Sequence, residues 1–329
     1  MCEIASEALT ENSDRGSWQC TAGVAELVDA VVSNTTGVKP VPVRIRAPVP
    51  FNPKGDAMIS SRMLGVVGAG NMGEALIRGA LKTGVMQRER IVASRRTASA
   101  LQGLQDTLGV ATTTDNAVLL ESSDVILLCV KPQGFRELIE ATRSSFREDH
   151  VVISIMAGIA TQQIEDAIGL PLPIIRVMPN TPSIVGEGMS PYCQGRHANG
   201  DHALLTAELF SAVGKTVHVE EDLMDPITAT SGSGPAYMFY LVENMQKTAQ
   251  QMGVPEHLAL ALVQQTMLGA AKLLMESQNT AMELRRKVTS PGGTTAAAIA
   301  EFEEGGLEKL VDSALRAACK RAKELGDSS

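Results

Sequence analysis

Aromatic side chains are scarce in this sequence, whose 329 residues include one tryptophan, three tyrosines and six phenylalanines. Proteins that bind single-stranded nucleic acid stack the bases on aromatic rings, so this function is disfavoured. Positive charge is also in deficit. The net charge is −8, which disfavours binding to phosphate backbones or anionic membranes. We therefore expect no nucleic-acid partner and no membrane partner, and any bound anion must be held locally by loops and helix ends.

Cysteine pairs, metal-ligand patterns and long apolar runs are lacking as well. The chain has five scattered cysteines, none in a C-x-x-C pair, and five histidines without a metal-binding spacing. We therefore expect neither a disulfide framework nor a metal site, and a cytoplasmic location. The longest continuous apolar runs, at 125–130 and 151–160, have the length of buried strands. A membrane span needs about 18 residues.

Residues 1–57 differ from the rest of the chain, because they contain five clustered prolines and no sustained helical or strand period. Their first 30 residues hold one basic residue against six acidic ones, the wrong charge for a signal or transit peptide. Residues 23–53 resemble an upstream transfer-RNA gene translated in frame, so one hypothesis places the true start at Met58 or Met63. A disordered natural tail is the alternative. Either way, we expect 1–57 to be an extension outside the fold.

From Leu64 to about residue 220, short β-branched runs alternate with helical segments, a pattern typical of βαβ units and a parallel sheet. The intervening helices are predicted through Leu81 and at 97–108, 133–145 and 201–213, and a polar loop is expected between 179 and 201. The predicted strands are 64–70, 91–94, 110–112, 124–130, 151–155, 174–179 and 215–220.

After about residue 220, helices alone are predicted, from Pro235 to Gly253, from Pro255 to about Ser277, and over 307–322. The second of these helices is apolar around much of its circumference, which favours a homodimer interface. Burial within the same chain is the alternative. The sequence thus predicts an α/β fold: a Rossmann-type doubly wound sheet domain at 58–220, followed by an all-α dimerisation domain at 221–329.

GAGNMG at 68–73 follows an apolar strand and opens a helix, in the pattern G-x-G-x-x-G. In this pattern the first glycine allows a tight turn, the second lets the backbone approach a pyrophosphate, and the third allows close packing of helix and strand. The phosphates lie at the positive helix end. The context favours a dinucleotide site over an ordinary glycine-rich turn. The predicted cofactor residues here are Gly68, Ala69, Gly70, Asn71, Met72 and Gly73.

Ser94, Arg95 and Arg96 stand at the end of the second strand, where a site for NAD would carry Asp or Glu. A hydroxyl and guanidinium groups suit a 2′-phosphate by charge and by bidentate geometry. We therefore predict NADPH as the preferred cofactor, with NADH as a second candidate. A solvated loop with arginines is the alternative.

Other predicted cofactor residues follow later strands, at the sheet edge where doubly wound folds bind ligands. Asn116 follows the third strand and is expected near the adenosine end, VKPQ at 130–133 follows the fourth, and Asn180 in MPNTP offers amide groups to cofactor or substrate. This part of the predicted set is Asn116, Val130, Lys131, Pro132, Gln133, Met156, Ala157 and Asn180.

SGSGPAY at 231–237 and SPGGTT at 290–295 each place small residues and hydroxyls before a helix. Free backbone N–H groups there can converge on a carboxylate, and Thr294 and Thr295 add hydroxyls. Simple N-capping of the helices is the alternative.

Six segments, in order and over nearly all of 63–325, resemble the pyrroline-5-carboxylate reductases. SPGGTT is far more specific than the glycine fingerprint, and residues 1–57 have no counterpart. The segments are GVVGAGNMG at 65–73, LLCVKPQ at 127–133, RVMPNTP at 176–182, SGSGPAYMFYLVE at 231–243, QTMLGAAKLL at 265–274 and VTSPGGTTAAAIAEFEEGGL at 288–307.

The resemblance implies the last step of proline biosynthesis, in which NAD(P)H reduces the cyclic imine of 1-pyrroline-5-carboxylate to L-proline. It implies that Thr295 is catalytic, through a hydrogen bond from its hydroxyl to the ring nitrogen. It places Glu221 near the substrate, and it implies intertwined homodimers, often assembled into decamers. The residues implied to hold the substrate carboxylate are Gly292, Gly293, Thr294 and Thr295.

A protonated imine needs little further acid catalysis, so the absence of an obvious His or Lys base is no objection. Two alternatives stay open: another NADP(H)-dependent imine or β-hydroxyacid oxidoreductase, and a non-catalytic NADP(H)-binding protein. Lys247 lacks the glycine and serine that precede the catalytic lysine of β-hydroxyacid dehydrogenases. The intact SPGGTT loop favours an enzyme over a pure cofactor binder.

Overall fold

A computed structural model describes residues 58–327, so the predictions for 1–57 lie outside the described residues. Eight strands form one sheet in the order β3-β2-β1-β4-β5-β6-β7-β8. Neighbours from β3 to β6 are parallel, β7 is antiparallel to β6, and β8 is parallel to β7. The strands are β1 Leu64–Val67, β2 Ile91–Ser94, β3 Ala111–Thr113, β4 Val125–Leu128, β5 Val151–Ser154, β6 Ile174–Val177, β7 Gly188–Gln194 and β8 Gly214–His218.

Helices cover both faces of the sheet and then continue alone. Six of them, α1 to α6, intervene between strands: Asn71–Thr83, Ala98–Leu108, Asn116–Glu121, Phe135–Thr142, Thr161–Ile168 and Gly200–Ser211. Six more, α7 to α12, follow the last strand: Met224–Ile227, Gly234–Gln251, Glu256–Glu276, Ala281–Lys287, Thr294–Glu304 and Leu307–Asp327. Short turns of 3₁₀ or π type include Pro132–Gly134, Arg143–Ser145, Thr181–Val185, Glu221–Leu223 and Thr228–Gly232.

The central strands are buried along their whole length, because helices pack on both faces of the parallel sheet. One apolar cluster joins the strands to α1 and α6, and a second joins them to α3, α4 and α5. The strand order reverses between β1 and β4, which creates the crevice where open α/β sheets bind ligands. The predicted fold class, a Rossmann-type domain followed by an all-α domain, is confirmed.

One sequence prediction was wrong: the residues of β7 were expected to lie in a polar loop, and they form a strand. Its sequence, GMSPYCQ, lacks regular apolar alternation, and Pro191 is unusual in the middle of a strand. The Pro191 carbonyl accepts a hydrogen bond from the Met178 N–H at 2.8 Å, and β8 covers the other edge. Pairing with β6 and β8 therefore stabilises a strand whose own residues have little preference for strand structure. The helices α5, α7 and α10, of eight, four and seven residues, were also not predicted.

The helices from α8 to α12 bury few side chains. Among the residues from Gly234 to Gly326, only Ala259, Val263, Ala322 and Gly326 are buried. By length and mean hydropathy α9 could cross a membrane, although polar residues interrupt its apolar runs, and it packs against α8. One such helix is weak evidence for a membrane span.

Candidate active site

The glycine-rich turn lies between β1 and α1, at the carboxyl edge of the sheet. Gly68 has a φ of 79°, and a Cβ there would lie 2.7 Å from Val130 Cγ1, so only glycine fits. At Gly70, by contrast, a Cβ would have no neighbour closer than 3.9 Å. No side chain caps α1, so N–H groups in its first turn face this open space. The turn therefore suits a phosphate group.

Ser94 holds the turn against the end of β2. The N–H groups of Gly68 and Ala69 donate to the Ser94 carbonyl at 3.1 and 2.8 Å. The buried Ser94 hydroxyl donates to Asn116 Oδ1 at 2.6 Å, and Asn116 begins α3. The structure thus brings together Gly68, Ser94 and Asn116, three residues that the sequence placed at one site.

Arg95 and Arg96 differ in their surroundings. Arg95 Nε donates to the Ala69 carbonyl, and its Nη2 lies 3.1 Å from Glu74 Oε2. Glu74 also pairs with Arg78 at 2.9 Å. Arg96 is exposed beside this cluster. Arg96 is therefore the more accessible of the two guanidinium groups.

The remaining predicted cofactor residues follow β4 and β5. Val130 contacts the Gly68 turn, and the exposed Lys131 precedes the turn Pro132–Gly134. Met156 is fully buried and its N–H donates to Ser154 Oγ at 3.3 Å. The two segments lie at the same edge as the glycine-rich turn, because β1, β4 and β5 are adjacent and parallel.

Asn180 joins the sheet to the helical part of the chain. Its Oδ1 accepts the Met189 N–H at 2.9 Å, and its Nδ2 donates to the Ser231 carbonyl at 3.2 Å. The MPNTP loop therefore contacts the SGSGPAY segment. A direct role for Asn180 in binding cofactor or substrate stays a prediction.

Glu221 makes a second connection, and its contacts could not be derived from the sequence. Its carboxylate accepts the Thr161 N–H at 2.7 Å and the Thr161 hydroxyl at 2.6 Å. It also lies 3.5 Å from Nη1 of the buried Arg176, which pairs with Asp225 as well. The sequence feature that could have indicated these contacts is an arginine, Arg176, inside an otherwise apolar strand. A contact of Glu221 with substrate stays a prediction.

The SPGGTT loop leads into α11, which packs against α12. No side chain caps α11, so its first N–H groups stay open to an acceptor. Thr295 is half-buried, and its hydroxyl has no hydrogen bond within residues 58–327. In that same part of the chain, no hydrogen bond joins this loop to the sheet. The hydrogen bonds of this loop among the described residues thus lie within the helical part of the chain.

Two cysteines lie close to these elements: Cys193 is buried, and Cys129 is half-buried. Burial raises the pKa of Cys129, behind Gly73, far above its usual range. Burial, helped by the charge of Glu221, raises the pKa of Cys193 to about 12. Both thiols stay protonated at neutral pH and are poor nucleophiles. The described residues contain no cluster of three or more potential metal ligands.

A Rossmann sheet with an open phosphate turn, followed by helices with a second anion-compatible loop, defines an NAD(P)-dependent oxidoreductase. Residues 63–158 match the family model described as NADP oxidoreductase, coenzyme F420-dependent. Residues 221–325 match the model for pyrroline-5-carboxylate reductase dimerisation. The chain belongs to the pyrroline-5-carboxylate reductase family.

Individual relatives support this assignment. The chain is 40% identical over 268 residues to a pyrroline-5-carboxylate reductase of Methanosarcina acetivorans, covering 82% of this chain and 99% of the relative. The fold matches the Coxiella burnetii enzyme with a TM-score of 0.74 and 37% identity, over 81% of this chain and 99% of that one. It matches the NADP-bound Plasmodium falciparum enzyme with a TM-score of 0.75 and 28% identity, over 82% and 99%.

Proposed function

We propose that this chain reduces 1-pyrroline-5-carboxylate to L-proline with NADPH, the last step of proline biosynthesis. One observation carries the proposal: the same chain has an open phosphate turn at Gly70 and an uncapped helix start at Thr294. The first suits a dinucleotide and the second a small carboxylate. Relatives bearing the name of this enzyme, which the chain matches over almost their full length, support it.

The cofactor residues fit the bound group by shape. Gly70 leaves the space that a pyrophosphate needs, and the start of α1 supplies N–H donors. Ser94 and Arg96 lie at the end of β2, where the 2′-phosphate of NADPH would be recognised. NADH is the second candidate cofactor and is to be tested beside NADPH. When bound, the cofactor supplies a hydride from carbon 4 of the nicotinamide.

The substrate residues hold and orient the imine. The turn formed by Gly292, Gly293, Thr294 and Thr295 holds the substrate carboxylate. The N–H groups of Thr294 and Thr295 would donate to it, because the Gly293 N–H already donates to the Ser290 carbonyl at 3.0 Å. The Thr295 hydroxyl would hydrogen-bond the ring nitrogen. Orientation of this kind is a large part of catalysis when the electrophile, a protonated C=N group, is already reactive. Glu221 is proposed to lie at the edge of the same site.

The active site is proposed to form between two subunits, since within residues 58–327 no hydrogen bond joins the SPGGTT loop to the nucleotide-binding part of the same chain. The match to a dimerisation family model supports self-association. We propose that each subunit divides at about residue 220 into a nucleotide domain and a helical domain. Two subunits form an intertwined homodimer, and homodimers assemble further into a decamer. The proposed location is cytoplasmic. The cysteines among residues 58–327 are free thiols, which is compatible with a reducing compartment.

The test is NADPH oxidation by purified protein with pyrroline-5-carboxylate, followed by chromatographic detection of proline. Parallel reactions use NADH, a larger cyclic imine, and a β-hydroxyacid with NADP⁺. Stoichiometric proline supports the proposal. NADPH binding without turnover of any substrate would favour a non-catalytic binder, and turnover of the hydroxyacid alone would favour a dehydrogenase.

A further inference from the structure

An arginine lies inside β6, where every other residue is apolar. The Arg176 side chain is only 4% exposed, and its backbone pairs in register with Cys193 of β7. Cys193 belongs to a small apolar cluster with Val219 and Met224, which lies between the sheet and the first helical residues. Burying a guanidinium is costly unless it has charged partners, so these partners indicate why it is there.

Both partners come from the beginning of the helical region. Arg176 Nη1 lies 3.5 Å from Glu221 Oε1, and Nη2 lies 3.3 Å from Asp225 Oδ1. Glu221 belongs to the turn that follows β8, and Asp225 to α7. The planar fork of arginine can serve two carboxylates at once, whereas a lysine ammonium is a single point of charge.

Glu221 extends this contact to the loop that follows β5. Its carboxylate holds the N–H and the hydroxyl of Thr161, the first residue of α5. That residue closes the loop 156–160, which contains the predicted cofactor residues Met156 and Ala157. Arg176 is therefore joined to the cofactor side of the sheet through one shared carboxylate.

The C-terminal helix α12 holds the same loop from another side. Gln163 Nε2 donates to the Gly326 carbonyl at 2.9 Å. A Cβ on Gly158, which has a φ of 80°, would lie 2.8 Å from Gly326 N. The loop is thus enclosed by residues from both ends of the helical region.

From these contacts we infer that Arg176 is a positioning residue: it fixes the start of the helical domain against the loop 156–160. The inference rests on the proposed function, because hydride transfer needs the imine, held by helical residues, at a set distance from the cofactor. A shift of about 1 Å between two reacting groups can reduce a rate by about a hundredfold. Arg176 reaches both the helical residues and the loop with Met156 and Ala157 through Glu221 and Asp225, so we expect its larger effect on turnover and a smaller one on affinity for NADPH.

The test uses the full-length enzyme and three variants. Arg176→Lys keeps the charge but loses the fork, and Asp225→Asn keeps the shape of a partner but loses its charge. Arg147→Lys is the matched control, since Arg147 also donates to several groups but lies before β5, at the opposite edge of the sheet.

We expect Arg176→Lys to lower kcat for imine reduction at least tenfold and Asp225→Asn about threefold. The Kd for NADPH should change by a smaller factor than kcat in both variants. The Thr161 amide should exchange its hydrogen faster in both, because its acceptor Glu221 is less well held. Arg147→Lys should change none of these quantities by more than twofold.

Unchanged kcat in Arg176→Lys, or an equal loss in Arg147→Lys, would overturn the inference, as would a loss confined to NADPH affinity. If Arg176→Lys does not fold, Asp225→Asn decides between these outcomes. If the wild-type enzyme does not reduce the imine, the proposed function fails by itself. The exchange rate at Thr161 then still shows whether Arg176 controls this loop.

Discussion

Apolar side chains are buried by the chain itself in the nucleotide domain, whereas in the helical domain many lie at the surface. Of the 23 large apolar side chains that are exposed among the described residues, 19 lie at or after Met238. A surface this rich in apolar groups is typical of an interaction site. The first domain folds around its own core, whereas the second, which matches a dimerisation family model, leaves apolar surface available for self-association.

The largest effect should come from charge on the exposed face of α9. Leu262 is 53% exposed, and we expect Leu262→Asp to halve the mass measured by light scattering and to abolish activity, because a buried carboxylate would lack a partner. Val118→Asp is the matched control, since Val118 is 52% exposed but lies on α3. A Leu262→Asp protein with the wild-type mass would remove α9 from the interface.

A cavity in the nucleotide core should have the next largest effect. Leu127 in β4 is fully buried, so Leu127→Ala should lower the free energy of unfolding by about 3 kcal/mol. Urea denaturation followed by circular dichroism measures this change. Val118→Ala, at the surface of the same domain, should stay within about 0.5 kcal/mol of the wild type. Equal losses in the two variants would contradict the division between core and surface.

Substitutions at the two predicted binding sites should separate the domains by function. Thr295→Ala should lower kcat/KM for the imine by roughly tenfold, the scale of one lost transition-state hydrogen bond, without changing the Kd for NADPH. Ser94→Ala should instead weaken NADPH binding, because Ser94 orders both the turn and Asn116. Steady-state kinetics and NADPH fluorescence measure the two effects. Unchanged kinetics in Thr295→Ala would remove this hydroxyl from the mechanism.

The smallest expected effect is the pH dependence contributed by His150. Burial, helped by the nearby charge of Arg147, lowers the pKa of His150 below its usual value near 6.5. The unfolded chain therefore binds a proton more readily, and stability falls as the pH drops below about 6.5, by at most about 1.4 kcal/mol per pH unit.

The variant His150→Gln should flatten this slope in urea titrations between about pH 6.5 and 5. The exposed His197, also in the nucleotide domain, provides the control variant His197→Gln. A slope that persists in His150→Gln would assign the pH dependence to other groups.

Much of the fold was predictable. Strands buried on both faces are recognisable as short runs of β-branched residues, and a strand, a glycine-rich turn and a helix in succession indicate a dinucleotide-binding unit. The sequence placed Gly68, Ser94 and Asn116 at one site, but the hydrogen bonds that join them were not predicted. β7 was not predictable, since its pairing with β6 and β8 is a tertiary effect that its serine and proline conceal. Nor was the role of Arg176, because its partners lie more than 40 residues away in the sequence.

The link made by Asn180 has a consequence for how the protein ages. The amide faces an N–H with its oxygen and the Ser231 carbonyl with its nitrogen, so both ends are required in their present order. Deamidation to aspartate would leave a side chain of the same shape with two oxygens, one of them directed at that carbonyl. The volume of the side chain would hardly change, but an attraction between the two domains would be replaced by a repulsion.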